Sequence, residues 1–143
     1  MYGGRLARAI AAHVYDHQLG DTTLARAGFL LGTDPDTVRA PDLAFIPADR
    51  VPDVVSGWLT VVPALVVEVV AGDARQAEVL HKVGDWLDFG VAVVWVFYLR
   101  GRCLVEWRSA DLVRRFAETD TVVCDDLLPG FAYPLAHALR GLA

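Results

Sequence analysis

Two stretches of the chain are almost continuously apolar. Residues 64–70 read ALVVEVV and residues 91–99 read VAVVWVFYL, both rich in β-branched or aromatic side chains. Runs of this length and type are typical of strands that are covered on both faces. We therefore predict two buried strands, the first of which carries a single charge, Glu68, that needs a structural or functional reason.

The segment between these two strands has the period of an amphipathic helix. Asp73 followed by Gln76 has the spacing of a capping box, and Gly90 is a suitable helix stop. The apolar side chains of this helix form one stripe, which consists of Val79, Leu80, Val83, Trp86 and Leu87. A helix between two buried strands predicts that the strands lie parallel and are joined by a right-handed crossover.

The rest of the chain supplies a first helix and several shorter strands. Leu6, Ile10 and Val14 lie on one helical stripe, and Gly20 follows as a stop. The other predicted elements are strands at 22–31, at 39–46 with Pro41 at its start, at 103–107 as a hairpin partner of 91–99, at 112–117 and at 121–124, a surface connection at 47–63, and a loop with a short helical piece at 128–139. This order predicts an α/β fold with a mixed central β-sheet flanked by helices.

Composition limits the class of protein. A chain of 143 residues with 55% hydrophobic residues is expected to form one domain, spanning residues 1–143. No apolar run reaches the roughly 20 residues needed to cross a bilayer, and the N-terminus lacks the pattern of a signal peptide, so we expect a cytoplasmic protein with no membrane partner. Cys103 and Cys124 are interpreted as buried thiols. A net charge of -5 argues against broad electrostatic binding to nucleic acid and leaves room for a local basic patch.

The search for catalytic motifs leaves one constellation. The chain has no serine nucleophile elbow, phosphate-binding loop, dinucleotide fingerprint or H-E-x-x-H motif. It does have carboxylates at two strand positions, Asp42 after Pro41 and Glu68 within 64–70, and Lys82 on the following helix. Two carboxylates about 4 Å apart repel by roughly 4 kcal/mol at an effective dielectric constant of 20, so the pair needs a compensating cation or proton. Mg²⁺, held by these two carboxylates and by a substrate phosphate, would meet that need.

Each of these residues also has a simpler structural interpretation. Glu68 would form an ion pair inside the sheet, Asp42 would accept hydrogen bonds from backbone N–H groups at the start of a strand, and Lys82 would pack its stem along the apolar stripe. The four tryptophans are expected in the core or in an interface. Five arginines of the C-terminal strands would form either a phosphate-binding edge or, as is commoner, a solvated surface; they are Arg100, Arg102, Arg108, Arg114 and Arg115.

Four segments, taken together and in order, resemble the Uma-type putative restriction endonucleases, which are bacterial proteins with the PD-(D/E)XK nuclease fold. The segments are TVRAPDLAFI (37–46), PALVVEVVAGDA (63–74), EVLHKVGDWLDFGVAVVWVF (78–97) and DDLLPGFAYPLA (125–136). The resemblance implies a restriction-endonuclease-like core in which Asp42 and Glu68 match the acidic metal ligands and Lys82 matches the family's helix lysine. In the parent superfamily the lysine usually lies two residues after the acid, where this chain has Val70.

The chain departs from the family at its N-terminus. Family members usually begin with a further strand pair, which contains an acidic residue, ahead of the helix that here starts at Gly3. An edge strand left exposed by a missing neighbour would favour pairing with a second copy, so a homodimer is one expectation.

The leading hypothesis is an endonuclease that depends on Mg²⁺ or Mn²⁺ and cleaves nucleic acid, with DNA as the favoured substrate. Asp42 and Glu68 would bind the metal, and Lys82 would orient water or stabilise developing charge. The alternative is a catalytically inactive nuclease-fold module that binds nucleic acid or a protein partner. A third hypothesis is a small structural homodimer without a role in nucleic-acid binding.

Overall fold

The computed structural model describes residues 2–24, 27–53, 57–72 and 74–142. Within these ranges the chain forms helices and strands whose bounds lie close to the predicted ones in the second half of the chain. In chain order the elements are α1 (Tyr2–Asp16), β1 (Gly20–Leu24), β2 (Phe29–Gly32), β3 (Thr37–Arg39), β4 (Leu43–Pro47), a short 3-10 helix (Ala48–Arg50), β5 (Leu65–Val70), α2 (Gln76–Phe89), β6 (Val93–Tyr98), β7 (Cys103–Ser109), β8 (Leu112–Ala117), β9 (Thr121–Val123), β10 (Ala132–Pro134) and α3 (Leu135–Ala138).

Six of the strands form one mixed sheet in the order β1-β4-β5-β6-β7-β8. The pair β5 and β6 is parallel, with Glu68 in register with Val96, and α2 makes the crossover between them. The other pairs in this sheet are antiparallel. The predicted α/β class, the mixed sheet and the parallel crossover are therefore confirmed.

Two apolar layers cover the two faces of this sheet. On one face α1, α3 and the β9–β10 pair pack over Leu65, Val67 and Trp95. On the other face α2 and the β2–β3 hairpin pack over Val66, Val94 and Val96. Because side chains alternate along a strand, Glu68 points to the same face as Val66, which is the face that α2 covers. This alternation places the charge of β5 beneath the crossover helix.

The first half of the chain differs from the sequence prediction in several places. The single strand predicted over 22–31 is two strands, β1 and β2, and the predicted strand over 39–46 is divided between β3 and β4. Gly20 does not end α1, which stops at Asp16; it opens β1, where a Cβ atom would collide with the carbonyl oxygen of Ile46. Within the predicted connection at 47–63, Leu59 pairs with Phe29.

Some expectations for individual side chains differ from the structure. Leu80 was placed on the apolar stripe of α2 but is 41% exposed. Trp58 is 54% exposed, so it is not a core residue, and the interface expected as its alternative stays a prediction. The helix begins at Gln76 after Arg75, whose side chain forms no capping bond; the predicted cap, Asp73, lies outside the described residues.

Other details agree with the sequence. Gly90 ends α2 in the left-handed conformation with a φ of 108°, a backbone angle that glycine adopts without strain. Cys103 and Cys124 are buried free thiols. Among the helices of the described ranges, none is long and apolar enough to cross a membrane.

Candidate active site

The first carboxylate, Asp42, lies just before β4, opposite the strand that carries Glu68. The antiparallel register pairs Leu43 with Val67, so one step further along the two strands places Asp42 beside Glu68. The backbone N–H of Val69 donates a hydrogen bond of 2.7 Å to Oδ2 of Asp42. Asp42 therefore accepts a backbone hydrogen bond, but the donor lies in the neighbouring strand β5 and not at the start of a strand after Pro41, as the sequence-based alternative expected. The bond uses one carboxylate oxygen, and among the described residues nothing donates to Oδ1.

Glu68 is held by the crossover helix. Its Oε2 accepts a hydrogen bond of 3.0 Å from Nε1 of Trp86, a side chain that is fully buried. Burial raises the pKa of Glu68 above the ordinary value, against the lowering effects of the Trp86 bond and of the positive charge of Lys82; the charge of Asp42 adds to the rise. No described residue forms a salt bridge with Glu68, so the ion pair inside the sheet, proposed as the simpler interpretation, is not found among them.

The third candidate residue, Lys82, lies on α2. It lies beside the buried stripe that includes Val79 and Val83, and it is exposed. Together with Asp42 and Glu68 it lines a cavity of about 300 Å³. The structure thus brings to one cavity three residues that are separated by up to 40 positions in sequence.

The donor set suits a hard divalent cation that keeps most of its water. Each of the two carboxylates has one oxygen engaged by a neutral N–H donor, and the other remains available. No cluster of three or more histidine, cysteine or acidic side chains that could hold a metal is present in the described ranges. Mg²⁺ is commonly held by one or two carboxylates plus substrate phosphates, whereas a structural zinc site needs four protein ligands. The residues present therefore fit Mg²⁺ or Mn²⁺.

Sequence reasoning missed the contacts that orient the site. Trp86 was interpreted only as part of the apolar stripe, although its indole N–H binds Glu68. Arg39 and Asp85 received no role, yet they form an ion pair of 2.6 Å at the edge of the same region. The available signal was the alternation of β5, which turns Glu68 toward the stripe of α2 and so toward the one residue there with a polar atom.

Of the two alternatives for the C-terminal arginines, a phosphate-binding edge is not favoured at Arg102 and Arg108, because acidic neighbours neutralise both. Arg102 pairs with Glu118 at 2.5 Å. Arg108 pairs with Asp126 at 2.7 Å and holds the pKa of that carboxyl at about 2. In addition, Arg114 lies over the ring of Phe116, at 4.4 Å from its centroid.

A second buried carboxylate, Glu106, has a structural role. Nε1 of Trp95 donates to its Oε2 at 2.9 Å, and Nε of Arg108 lies 3.2 Å from its Oε1. Glu106 is only 4% exposed. Both of its oxygens are thus engaged inside the protein, unlike those of Glu68.

Comparisons with known proteins identify the fold and the family of the chain. No curated protein matches the chain. Among solved structures, the chain is similar to a protein from Anabaena variabilis ATCC 29413 described as a putative nuclease belonging to DUF820; the TM-score is 0.83 at 15% identity, over 96% of this chain and 78% of the other. The sequence profile of Uma2, described as putative restriction endonuclease, matches residues 2–137. The fold is therefore restriction-endonuclease-like, and the chain belongs to the Uma2 family.

Proposed function

We propose that this protein is a divalent-metal-dependent endonuclease that hydrolyses phosphodiester bonds in nucleic acid, with DNA as the favoured substrate. The observation that carries the proposal is the convergence of Asp42, Glu68 and Lys82 on one cavity. Membership of a family described as putative restriction endonucleases supports a nuclease, as does the similarity to a structure described as a putative nuclease.

Asp42 and Glu68 would hold the metal through the oxygens that Val69 and Trp86 leave available. A bound divalent cation would polarise the scissile phosphate and lower the pKa of a coordinated water. The hydrogen bonds from Val69 and Trp86 fix the two carboxylates before any ligand arrives, which reduces the entropy lost on binding. A cation would also remove the repulsion between the two carboxylates, which contributes to the raised pKa of Glu68.

Lys82 would act on the substrate. Its ammonium group lies on the exposed side of α2 and borders the same cavity as the carboxylates. From this position it would donate hydrogen bonds to the phosphate as negative charge develops there, or orient the attacking water. Because Lys82 is exposed, its charge is not buried in the core.

The experiment that tests the proposal is a nicking assay on supercoiled plasmid in Mn²⁺, in Mg²⁺ and in EDTA. The wild type should nick only with a divalent metal, and Glu68→Gln should not nick at all. Glu118→Gln makes the same change at a partly exposed residue paired with Arg102, so it serves as the matched control and should retain activity. Full activity of Glu68→Gln would refute the assignment. A wild type that binds DNA without nicking would instead favour the inactive module.

A second experiment tests the position of the lysine. Val70 lines the same cavity as Lys82 and lies on the same face of β5 as Glu68. A lysine at 70 would therefore reach the cavity from the strand instead of the helix. We expect Lys82→Ala to lose nicking activity and the double variant Lys82→Ala, Val70→Lys to regain part of it. A stable double variant that stays inactive would show that the helix position itself is required.

A further inference from the structure

A second cavity borders the candidate active site on the outer side of α2. Its volume is about 470 Å³, and it shares Glu78 and Lys82 with the cavity that holds the carboxylates. The shared residues make the two cavities neighbours along one surface. The residues that line the second cavity are Arg39, Ala77, Glu78, His81 and Lys82.

Arg39 is the cation at this second cavity that hydrogen bonds hold in place. It ends β3, and both its Nε and its Nη2 donate to Oδ2 of Asp85, at 3.1 and 2.6 Å. Nε2 of His81 lies 3.7 Å from the same oxygen. No hydrogen bond joins Nη1 of Arg39 to a described residue. One edge of the guanidinium is therefore fixed, while the remaining N–H groups are available to a ligand.

Stability alone does not explain why Asp85 holds Arg39 in one conformation. The side chains of Arg39 and Asp85 are 28% and 26% exposed, and partly exposed pairs of this kind contribute little to the free energy of unfolding. Holding an arginine in one conformation has a clearer use in ligand binding, because the planar guanidinium matches the oxygens of a phosphate and the entropy of ordering it has already been lost.

The position of Arg39 relative to Glu68 indicates which phosphate it would meet. Arg39 ends β3 three residues before Asp42, and its partner Asp85 is next in the chain to Trp86, which binds Glu68. Lys82 borders both cavities, so it lies between the metal-binding carboxylates and Arg39. In a nucleic-acid strand with its cleaved phosphate at Asp42 and Glu68, the next phosphate would lie beyond Lys82, near Arg39.

We propose that Arg39 and Lys82 form a second phosphate-binding subsite, which takes the phosphodiester next to the cleaved one in the same strand. Asp85 is its positioning residue, since it acts only through Arg39. The substrate is then a polynucleotide bound over at least two successive phosphates. This inference rests on the proposed function for the identity of the neighbouring phosphate, whereas the binding of a phosphate by Arg39 can be measured without any cleavage.

The test measures equilibrium binding of the full chain to a fluorescein-labelled DNA duplex in Ca²⁺. Fluorescence anisotropy reports the binding at several salt concentrations. Arg39→Gln should weaken binding about tenfold and reduce the slope of log K against log salt by about one, as expected for the loss of one phosphate contact. Arg39→Lys keeps the charge and should keep the slope. The matched control is Arg115→Gln, an exposed arginine on the edge strand β8, which should change neither quantity.

The role of Asp85 is tested by a charge-matched pair on α2. Asp85→Ala and Asp88→Ala remove the same charge, but Asp88 is exposed, and the hydrogen bonds of Arg39 go to Asp85. If Asp85 positions Arg39, Asp85→Ala should bind the duplex more weakly than Asp88→Ala while keeping the same salt slope. Equal affinity of the two variants would refute the positioning role.

The outcomes separate this inference from the proposed function. If nicking requires Glu68 but Arg39→Gln binds DNA like Arg115→Gln, the subsite is wrong and the nuclease stands. If no metal supports nicking but Arg39→Gln still lowers the salt slope, the subsite stands and the nuclease is wrong. If Arg39→Gln and Arg39→Lys lose the same affinity for DNA and the salt slope is unchanged, Arg39 only joins β3 to α2 and the subsite is wrong. Absence of any DNA binding by the wild type would also overturn the inference.

Discussion

The hydrogen bond from Trp86 to Glu68 gives the sharpest prediction, because the protein contains a matched bond on the other face of the sheet. Trp86→Phe removes the indole N–H from a fully buried position and leaves an aromatic ring in place. Trp95→Phe does the same at a second fully buried tryptophan, which donates to Glu106 at 2.9 Å. Only the first of these carboxylates borders the candidate metal site.

Both substitutions should destabilise the protein by a similar amount. Loss of a hydrogen bond to a charged group costs about 1.5–3 kcal/mol. The smaller ring leaves a cavity that adds about 1 kcal/mol. We therefore expect each variant to lose about 3 kcal/mol of unfolding free energy, which corresponds to a decrease of about 9 °C in Tm for a chain of this size.

The two variants should differ in how they respond to metal and pH. The bond from Trp86 is the strongest influence that lowers the pKa of Glu68. Without this bond the pKa of Glu68 rises further, so the carboxylate stays protonated to a higher pH and competes less well for a cation. The pH at which Mn²⁺ begins to raise Tm should therefore move upward in Trp86→Phe and stay at its wild-type position in Trp95→Phe.

Thermal unfolding with and without Mn²⁺, followed across the acid range, measures both quantities in one experiment. The argument is supported if both variants lose a similar amount of Tm and if the pH at which Mn²⁺ begins to raise Tm changes in Trp86→Phe alone. The reasoning is refuted if that pH is the same in both variants, because Trp86 would then be a core residue with no influence on the carboxylate of Glu68.

Three further predictions concern the carboxylates. Burial raises the pKa of Glu68, so the charged side chain destabilises the folded state. Glu68→Gln should therefore increase the unfolding free energy in urea at pH 7 without metal, and this gain should vanish once the pH falls below 4.5, the ordinary pKa of a glutamate. Arg108 lowers the pKa of Asp126 to about 2, so Asp126→Asn should be less stable than the wild type at pH 6, with a difference that shrinks as the pH falls from 3.8 toward 2. Mg²⁺ at 100 times its dissociation constant should stabilise the wild type by about 2.7 kcal/mol in calorimetry and should leave Asp42→Asn unchanged.

The central part of the fold could be predicted because its signals are local and strong. The β5–α2–β6 unit shows a continuous apolar run, then a helical period that ends at Gly90, and then a second run. The β2–β3 hairpin could not be predicted in the same way. A strand of 3 or 4 residues has too few positions to show an alternation, and Phe29 is fixed by a bridge to Leu59 that no local pattern indicates.

The same distinction between local and distant signals applies to the residues of the candidate site. Asp42, Glu68 and Lys82 were found because each is a charge of an unusual kind for its predicted element or matches a family pattern. Arg39 and Trp86 were not found, because their partners are 46 and 18 residues away in sequence and become visible only when β3, β5 and α2 have packed together. The two carboxylates and Lys82 could therefore be proposed from the sequence, whereas residues whose role depends on distant partners, charged or not, could not.

The comparison of Glu68 with Glu106 shows why residue type alone does not identify a site. Both are strand glutamates, and each accepts a hydrogen bond from a fully buried tryptophan. Glu106 also pairs with Arg108, which compensates its charge inside the protein, so no ligand is needed. Glu68 has no such pair among the described residues and has Asp42, a second carboxylate, as its neighbour across the β4–β5 pair. Lys82 and Arg39 compensate the charge of Glu68 only in part, because its pKa stays raised. We therefore propose the metal for Glu68, whereas Glu106 has a structural role.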